Sequence, residues 1–258
     1  MKANITVTTR LAACPVRASP DETSEMVTQF LFGEYATVVA YKKEGWAEVE
    51  LFHDGYKGWI DSKMLIESAA PSPDMMFCCM DIFGQAFSDT HSTWISLGAN
   101  LPEYDGIVAK VGGQTFRYSG QVSKLIELIP SAERIEKVAR KLLNVPYLWG
   151  GRTPIGLDCS GFTQLVYKCC GVKIKRDARE QALEGEMIDF VSQSRAGDLA
   201  FFSKKSERIT HVGILLDDQK IIHASGSVRI DVMDHYGIYN EEIQEYTHKL
   251  KIIRRYIP

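Results

Sequence analysis

The apolar residues of this chain change period at Pro130, and that change constrains the fold more than any other feature of the sequence. Ahead of it, short runs rich in β-branched and aromatic residues alternate with turn residues. Within residues 1–70 these are "ITVT", "PVRAS", "ATVVAYKKEGWAEVEL" and "GYKGWIDSKMLI". A second strand-rich stretch spans 71–130 and includes the hairpin-like "GIVAKVGGQTFRYSG". Runs this short and this closely punctuated predict small β-barrels rather than helices. "GWIDSKMLIE" at 58–67 and "GQVSKLIELI" at 120–129 share a glycine-led strand, Ser-Lys, an apolar pair and Glu, which points to an internal duplication. "PSP" at 71–73 reads as the linker between the two stretches.

From 131 to 258 the pattern is different. Ile135, Val138, Ala139 and Leu142 recur at helical spacing behind Ser131, a good N-cap, so the spacing predicts an amphipathic helix over 131–143. Phe162, Leu165, Val166 and Cys169 repeat the pattern in a second helix starting near Asp158 or Cys159, with Gly171 as its stop. "KRDAREQALEGEMI" predicts a short helix, and "GDLAFFS", "THVGILLDD", "KIIHASG", "SVRIDVM" and "KLKIIRRYI" predict antiparallel strands. Helices followed by such a run of strands define an α+β domain.

Between the two helices lies "YLWGGRTPIGLDCSGF", residues 147–162, which holds Cys159 at a predicted helix start. Unpaired backbone N–H groups and the positive end of the helix dipole favour a thiolate there, which marks Cys159 as a nucleophile. The other five cysteines, Cys14, Cys78, Cys79, Cys169 and Cys170, read as small hydrophobes. A cysteine nucleophile needs a base nearby in space. His211 opens one strand and His223 ends the next, and a hairpin turning at 217–220 would bring both imidazoles to the same region. One could hydrogen-bond the thiol while the other orients the first. A zinc site from the same three residues would lack a fourth ligand.

With 45% hydrophobic and 24% charged residues and a net charge of −3, the composition is that of a globular protein and speaks against nucleic-acid binding. No stretch approaches the roughly 20 apolar residues of a membrane span. The N-terminal residues lack the apolar core of a secretory signal. The expectations are a cytoplasmic monomer with no cofactor, no metal, no nucleic-acid partner and no membrane, or a periplasmic or secreted protein if a signal has been removed.

Five ordered blocks, "PYLWGGRTPIGLDCSGFTQLVY", "RDAREQ", "GDLAFF", "HVGILL" and "IIHASG", resemble the NlpC/P60 family of papain-like cysteine peptidases across 131–258. Residues 1–70 resemble a bacterial SH3 domain, and 71–130 are similar to a divergent second copy. The fold implied is α+β, a papain-like domain preceded by two small SH3-like β-barrels. The resemblance implies Cys159 as nucleophile, His211 as general base, His223 as the group orienting it, and Tyr147 as a donor to the substrate carbonyl. The backbone N–H of Cys159 would be a second oxyanion donor. Members with N-terminal SH3 domains cleave the γ-D-glutamyl bond to a diamino acid in murein peptides with a free N-terminal L-Ala. That substrate implies recognition by Asp158, Ser160, Asp177 with the adjacent Arg176, and Trp149 as a pocket wall, with Glu25 and Tyr56 contributed by the first SH3 domain. Asp177 also fits a helix N-cap with Glu180 as capping-box partner. Two other readings are an amidase or acyltransferase on the same scaffold, and a cell-wall binding protein without catalysis.

Overall fold

The structure is a computed structural model that describes residues 4–42, 45–204, 208–217 and 219–258. The chain divides into two compact units, Met1–Leu128 with Trp149–Pro154, and Ile129–Leu148 with Ile155–Pro258.

In the first unit, strands β1 (Ile5–Thr8), β2 (Ala13–Arg17), β3 (Met26–Leu31), β4 (Tyr35–Lys42), β5 (Trp46–Leu51), β6 (Lys57–Asp61) and β7 (Ile66–Glu67) form one antiparallel sheet in the order β3-β2-β6-β5-β4-β1-β7. The strands alternate buried and half-buried residues, the period-two pattern of an SH3-like barrel with one face inside. Its core is built from Val16, Phe30, Val38, Val49 and Ile60, with Tyr56 packed at the margin.

A second core in the same unit is enclosed by two sheets. One contains β9 (Phe83–Phe87), β10 (Ser92–Ser96), β12 (Val108–Val111) and β13 (Gln114–Arg117); the other contains β8 (Met76–Cys79), β11 (Asn100–Pro102) and β14 (Val122–Lys124). At the two Ser-Lys sites that suggested a duplication, a strand leads into one turn of 3₁₀ helix, at Ser62–Met64 and Leu125–Glu127. Phe32, in the β3–β4 turn, enters the second core and meets Phe116 edge to face at 5.1 Å. Gly33 beside it has φ +69°, and a Cβ there would sit 2.2 Å from the Asn100 carbonyl oxygen, so this close approach admits only glycine. The segment Trp149–Pro154 contains the short strand β15 (Arg152–Thr153).

Among its described residues the second unit has three α-helices, α1 (Ala132–Arg140), α2 (Cys159–Lys168) and α3 (Ala178–Gln181), and the short strand β16 (Gly156–Leu157). Its sheet is made of β17 (Glu186–Ile188), β18 (Leu199–Ser203), β19 (His211–Leu215), β20 (Lys220–Ser225), β21 (Ser227–Met233), β22 (Gly237–Asn240) and β23 (Glu245–Arg255), in the order β17-β23-β18-β19-β20-β21-β22. Ser131 caps α1 by accepting a hydrogen bond from the Arg134 N–H. That helix is shorter than the predicted 131–143, ending in turns after Arg140. Helix α2 is buried along its whole length rather than on one stripe, because it lies against β19 and β20 on one side and α1 on another. Gly171, at φ +83°, follows it as the predicted stop. Among the described residues, no helix is long and apolar enough to cross a membrane.

Candidate active site

Asp158 is the N-cap of α2, and its carboxylate accepts a hydrogen bond from the Gly161 N–H at 2.6 Å. This cap places Cys159 at the first helical position. The cap is itself held by Arg176, whose guanidinium forks onto both carboxylate oxygens at 3.0 and 2.6 Å. Arg176 also donates to Ser160 Oγ at 2.9 Å, and Ser160 Oγ donates to Asp158 Oδ1 at 3.3 Å. Asp158, Ser160 and Arg176 are all buried and engaged with one another around the helix start.

Cys159 is buried too, and this changes its chemistry from what its position alone predicts. Burial, followed by the nearby Asp158 charge, pushes its thiol up to about 12. The backbone N–H groups of Val212 and Ser160, which bond the sulfur, and the Arg176 charge pull in the opposite direction but do not prevail. The resting group is therefore a neutral thiol, which must give up its proton as it attacks. Tyr147 lies close to both Cys159 and Asp158; burial, and then these two neighbouring acidic groups, raise its phenol above the usual value, so it remains a donor.

The sheet assembles the groups that can take the thiol proton. His223 on β20 sits opposite Gly213 on β19, which puts His211, two residues from Gly213, on the same face and one diagonal step away. His211 Nε2 and His223 Nδ1 are 2.8 Å apart. A Cβ at Gly213 would lie 2.7 Å from Ile221 Cδ1 and 2.9 Å from the His223 Cβ, so glycine lets β20 pack this closely at the position opposite His223. Two residues that the sequence reading did not single out complete this cluster. Asp231 on β21 accepts from His223 Nε2 at 2.9 Å, and His248 on β23 stacks on His211 with ring centroids 4.2 Å apart. In "SVRIDVM" the apolar Val228, Ile230 and Val232 alternate with Ser227, Arg229 and Asp231, so the pattern alone assigns Asp231 to the polar face and only the structure shows it buried; His248 is distant in sequence and carries no local signal.

Burial, then the neighbouring His223 and His248, hold His211 well below the ordinary histidine value, so it is neutral and able to accept a proton. His248 is drawn down to about 4, first by burial and then by His223. Burial raises the Asp231 carboxyl, but hydrogen bonds from His223 and Arg229 outweigh it and the net shift is downward. A histidine kept neutral in the fold takes up a proton on unfolding, so its contribution is intact above the usual 6.5 and is lost as pH falls toward the folded value. Unfolding free energy from urea titrations should therefore drop on acidification below pH 6.5, with a limiting slope of about 1.4 kcal/mol per pH unit for each such histidine. His248→Phe should flatten the decline down to about pH 4, and a slope equal to that of the parent would contradict the assignment.

The other residues singled out from the sequence are placed as follows. Asp177 is at the N-cap position of α3 and exposed, and its side chain makes no capping hydrogen bond. Trp149, Glu25 and Tyr56 belong to the first unit. Trp149 is 61% exposed, and its indole N–H donates to the Glu25 carboxylate at 2.6 Å. The backbone N–H of Tyr56 bonds Asp54 in the β5–β6 turn. Of the turn predicted over 217–220, residue 218 lies outside the described residues. No group of three or more metal-binding side chains is found among the described residues.

A cysteine at the first position of a helix packed against the inner strands of an antiparallel sheet that carries paired histidines defines a papain-like domain, here joined to an SH3-like barrel. The chain belongs to the NlpC/P60 family and is a peptidase, a hydrolase. The NlpC/P60 family model matches residues 144–248, and that of the bacterial dipeptidyl-peptidase Sh3 domain matches 16–65. A gamma-D-glutamyl-L-lysine dipeptidyl-peptidase of Bacillus subtilis is 31% identical over 214 residues, 76% of this chain and 71% of that protein. A Bacillus cereus protein of the same name is 29% identical over 270 residues, 91% of this chain and 76% of that one. The crystal structure of a Bacillus cereus NlpC/P60 family protein has the same fold, with a TM-score of 0.82 over 98% of this chain and 100% of that one at 22% identity.

Proposed function

We propose that this peptidase hydrolyses the γ-D-glutamyl bond to a diamino acid in murein peptides that carry a free N-terminal L-Ala, with Cys159 as nucleophile. The observation that carries the reading is the bonded His211–His223 pair next to Val212, whose N–H bonds the Cys159 sulfur, in a chain that matches most of the length of relatives bearing the dipeptidyl-peptidase name. The Cys159 thiol passes its proton to His211 while the sulfur attacks the carbonyl carbon of the γ-D-Glu residue. The developing oxyanion is met by the Tyr147 hydroxyl and the Cys159 backbone N–H, which has no acceptor within its own helix. His211 returns the proton to the departing amine, leaving a thioester on Cys159. Water then attacks the thioester, its proton passing through His211 back to the sulfur, and the dipeptide leaves with a new carboxylate.

Preference for a free ammonium belongs to the same proposal and calls for carboxylates, for which the resemblance nominates Asp177 and Glu25; both are exposed. With such a preference the substrates are released wall fragments rather than intact wall, a role in peptide recycling. Incubation with L-Ala-γ-D-Glu-L-Lys and with its diaminopimelate counterpart should yield L-Ala-D-Glu by mass spectrometry. The N-acetylated peptides should be cleaved at least tenfold more slowly. Release of products cut at another bond would favour amidase chemistry, and equal rates for acetylated peptides would refute selection for the amine.

A further inference from the structure

The hydrogen-bonded chain that starts at His211 does not end at His223. Three adjacent strands each supply one member, and each step is diagonal. Ile221 on β20 pairs with Asp231 on β21 while His223 pairs with Arg229, so His223 and Asp231 share a face two residues apart in register. Asp231 Oδ2 is 2.9 Å from His223 Nε2, and both side chains are buried. The other oxygen, Oδ1, is held by Arg229 through Nε at 3.2 Å and Nη2 at 2.9 Å, and Arg229 Nη1 reaches Glu242 at 3.3 Å. A carboxylate so held cannot turn away from the imidazole.

We propose that Asp231 is a positioning residue that sets the tautomers of both histidines and thereby selects which nitrogen of His211 receives the thiol proton. An ionised carboxylate only accepts hydrogen bonds, so His223 Nε2 must carry a hydrogen. With one ring hydrogen, held at Nε2, His223 has a bare Nδ1, and a bare nitrogen 2.8 Å from His211 Nε2 requires that this Nε2 carry a hydrogen. The neutral His211 is left with a lone pair on Nδ1 alone. When the thiol proton moves to that nitrogen, the positive charge on His211 is shared through His223 toward the Asp231 carboxylate, and no further proton has to move. Without the carboxylate, His223 is free to adopt the opposite tautomer with Nδ1–H. It would then donate to His211 Nε2, force the hydrogen onto His211 Nδ1, and leave no lone pair to accept from Cys159.

The kinetic part of this inference rests on the peptidase reading above, whereas the tautomers can be read without turnover. Long-range ¹⁵N–¹H correlation spectra of the ¹⁵N-histidine-labelled Cys159→Ala chain at pH 7.5 should show His211 and His223 both protonated at Nε2 and bare at Nδ1. A protonated His211 Nδ1 in that spectrum overturns the proposal, whatever the enzyme's substrate. Asp231→Asn, whose amide can donate where the carboxylate could only accept, should shift both rings toward the Nδ1–H form. Its kcat on the murein tripeptide should fall on the order of 10²- to 10⁴-fold, with KM within about threefold of the parent, as expected when a base is held in the wrong tautomer. Parental tautomers together with parental kcat in Asp231→Asn would equally overturn it. If the parent chain does not hydrolyse the tripeptide, the substrate reading fails, and the spectra still decide the role of Asp231.

Discussion

On the mechanism proposed above, Cys159→Ala should abolish hydrolysis of the γ-D-glutamyl bond, with a loss in kcat on the order of 10⁴-fold or more, while the chain keeps its fold. The large effect on rate follows because in that mechanism the sulfur forms the bond to the acyl group, and neither histidine nor Tyr147 can replace it in that step. The small effect on structure follows because alanine keeps the Cβ and the helical backbone, and the cap on α2 is made by Asp158 and Arg176 rather than by the thiol. Far-UV circular dichroism and single-turnover assays on the same preparation check both halves. Retention of full hydrolysis would remove Cys159 from the mechanism. Because burial holds the resting thiol neutral, alkylation by iodoacetamide at pH 7 should also be slow compared with a cysteine whose thiol is ionised at rest.

Arg152→Ala should destabilise the first unit by about 3–5 kcal/mol, read as a lower urea midpoint. Arg152 is fully buried and bonds both oxygens of the buried Glu34, at 3.0 and 2.7 Å, and the Gln29 carbonyl at 3.0 Å. Glu34 in turn accepts from the Leu31 N–H at 2.9 Å, at the end of β3. Removing the guanidinium leaves a carboxylate inside the protein without its counter-charge, and that uncompensated burial, more than the loss of attraction, is the source of the cost. The double variant Glu34→Leu with Arg152→Met should recover most of the stability, since well-packed apolar groups replace buried ion pairs at little cost. Equal stability of Arg152→Ala and the parent would show that the pair contributes nothing net. The same segment carries Trp149, so Arg152→Ala should also change the indole fluorescence, as the Trp149–Glu25 hydrogen bond loosens.

Much of this molecule can be read from local pattern. The Ser131 and Asp158 caps, the Gly171 stop and the order of the C-terminal strands follow from residue types and spacing, because caps and period-two burial depend on near neighbours in the chain. Cys159 could be nominated in the same way, since a helix start is a local feature. Its protonation state could not. The helix start argues for a thiolate, whereas packing of α2 against the sheet desolvates the sulfur enough to keep its proton. Asp158 and Arg176 illustrate a related limit. They are eighteen residues apart in separate sequence blocks, and only the fold shows that they form one fork holding the helix cap.

By itself the sequence determined the change from barrel to α+β architecture, the helix that presents Cys159, and the two strand histidines that could serve it. Each of these depends on short-range rules of periodicity, capping and turn chemistry. The tertiary structure decided what lies beside those residues: Asp231 behind His223, His248 over His211, and Glu34 around Arg152. Strand register and burial bring these partners together across long separations in the chain. Proton affinity depends on solvent exclusion and on charges nearby in space, so it is a property of that assembled neighbourhood.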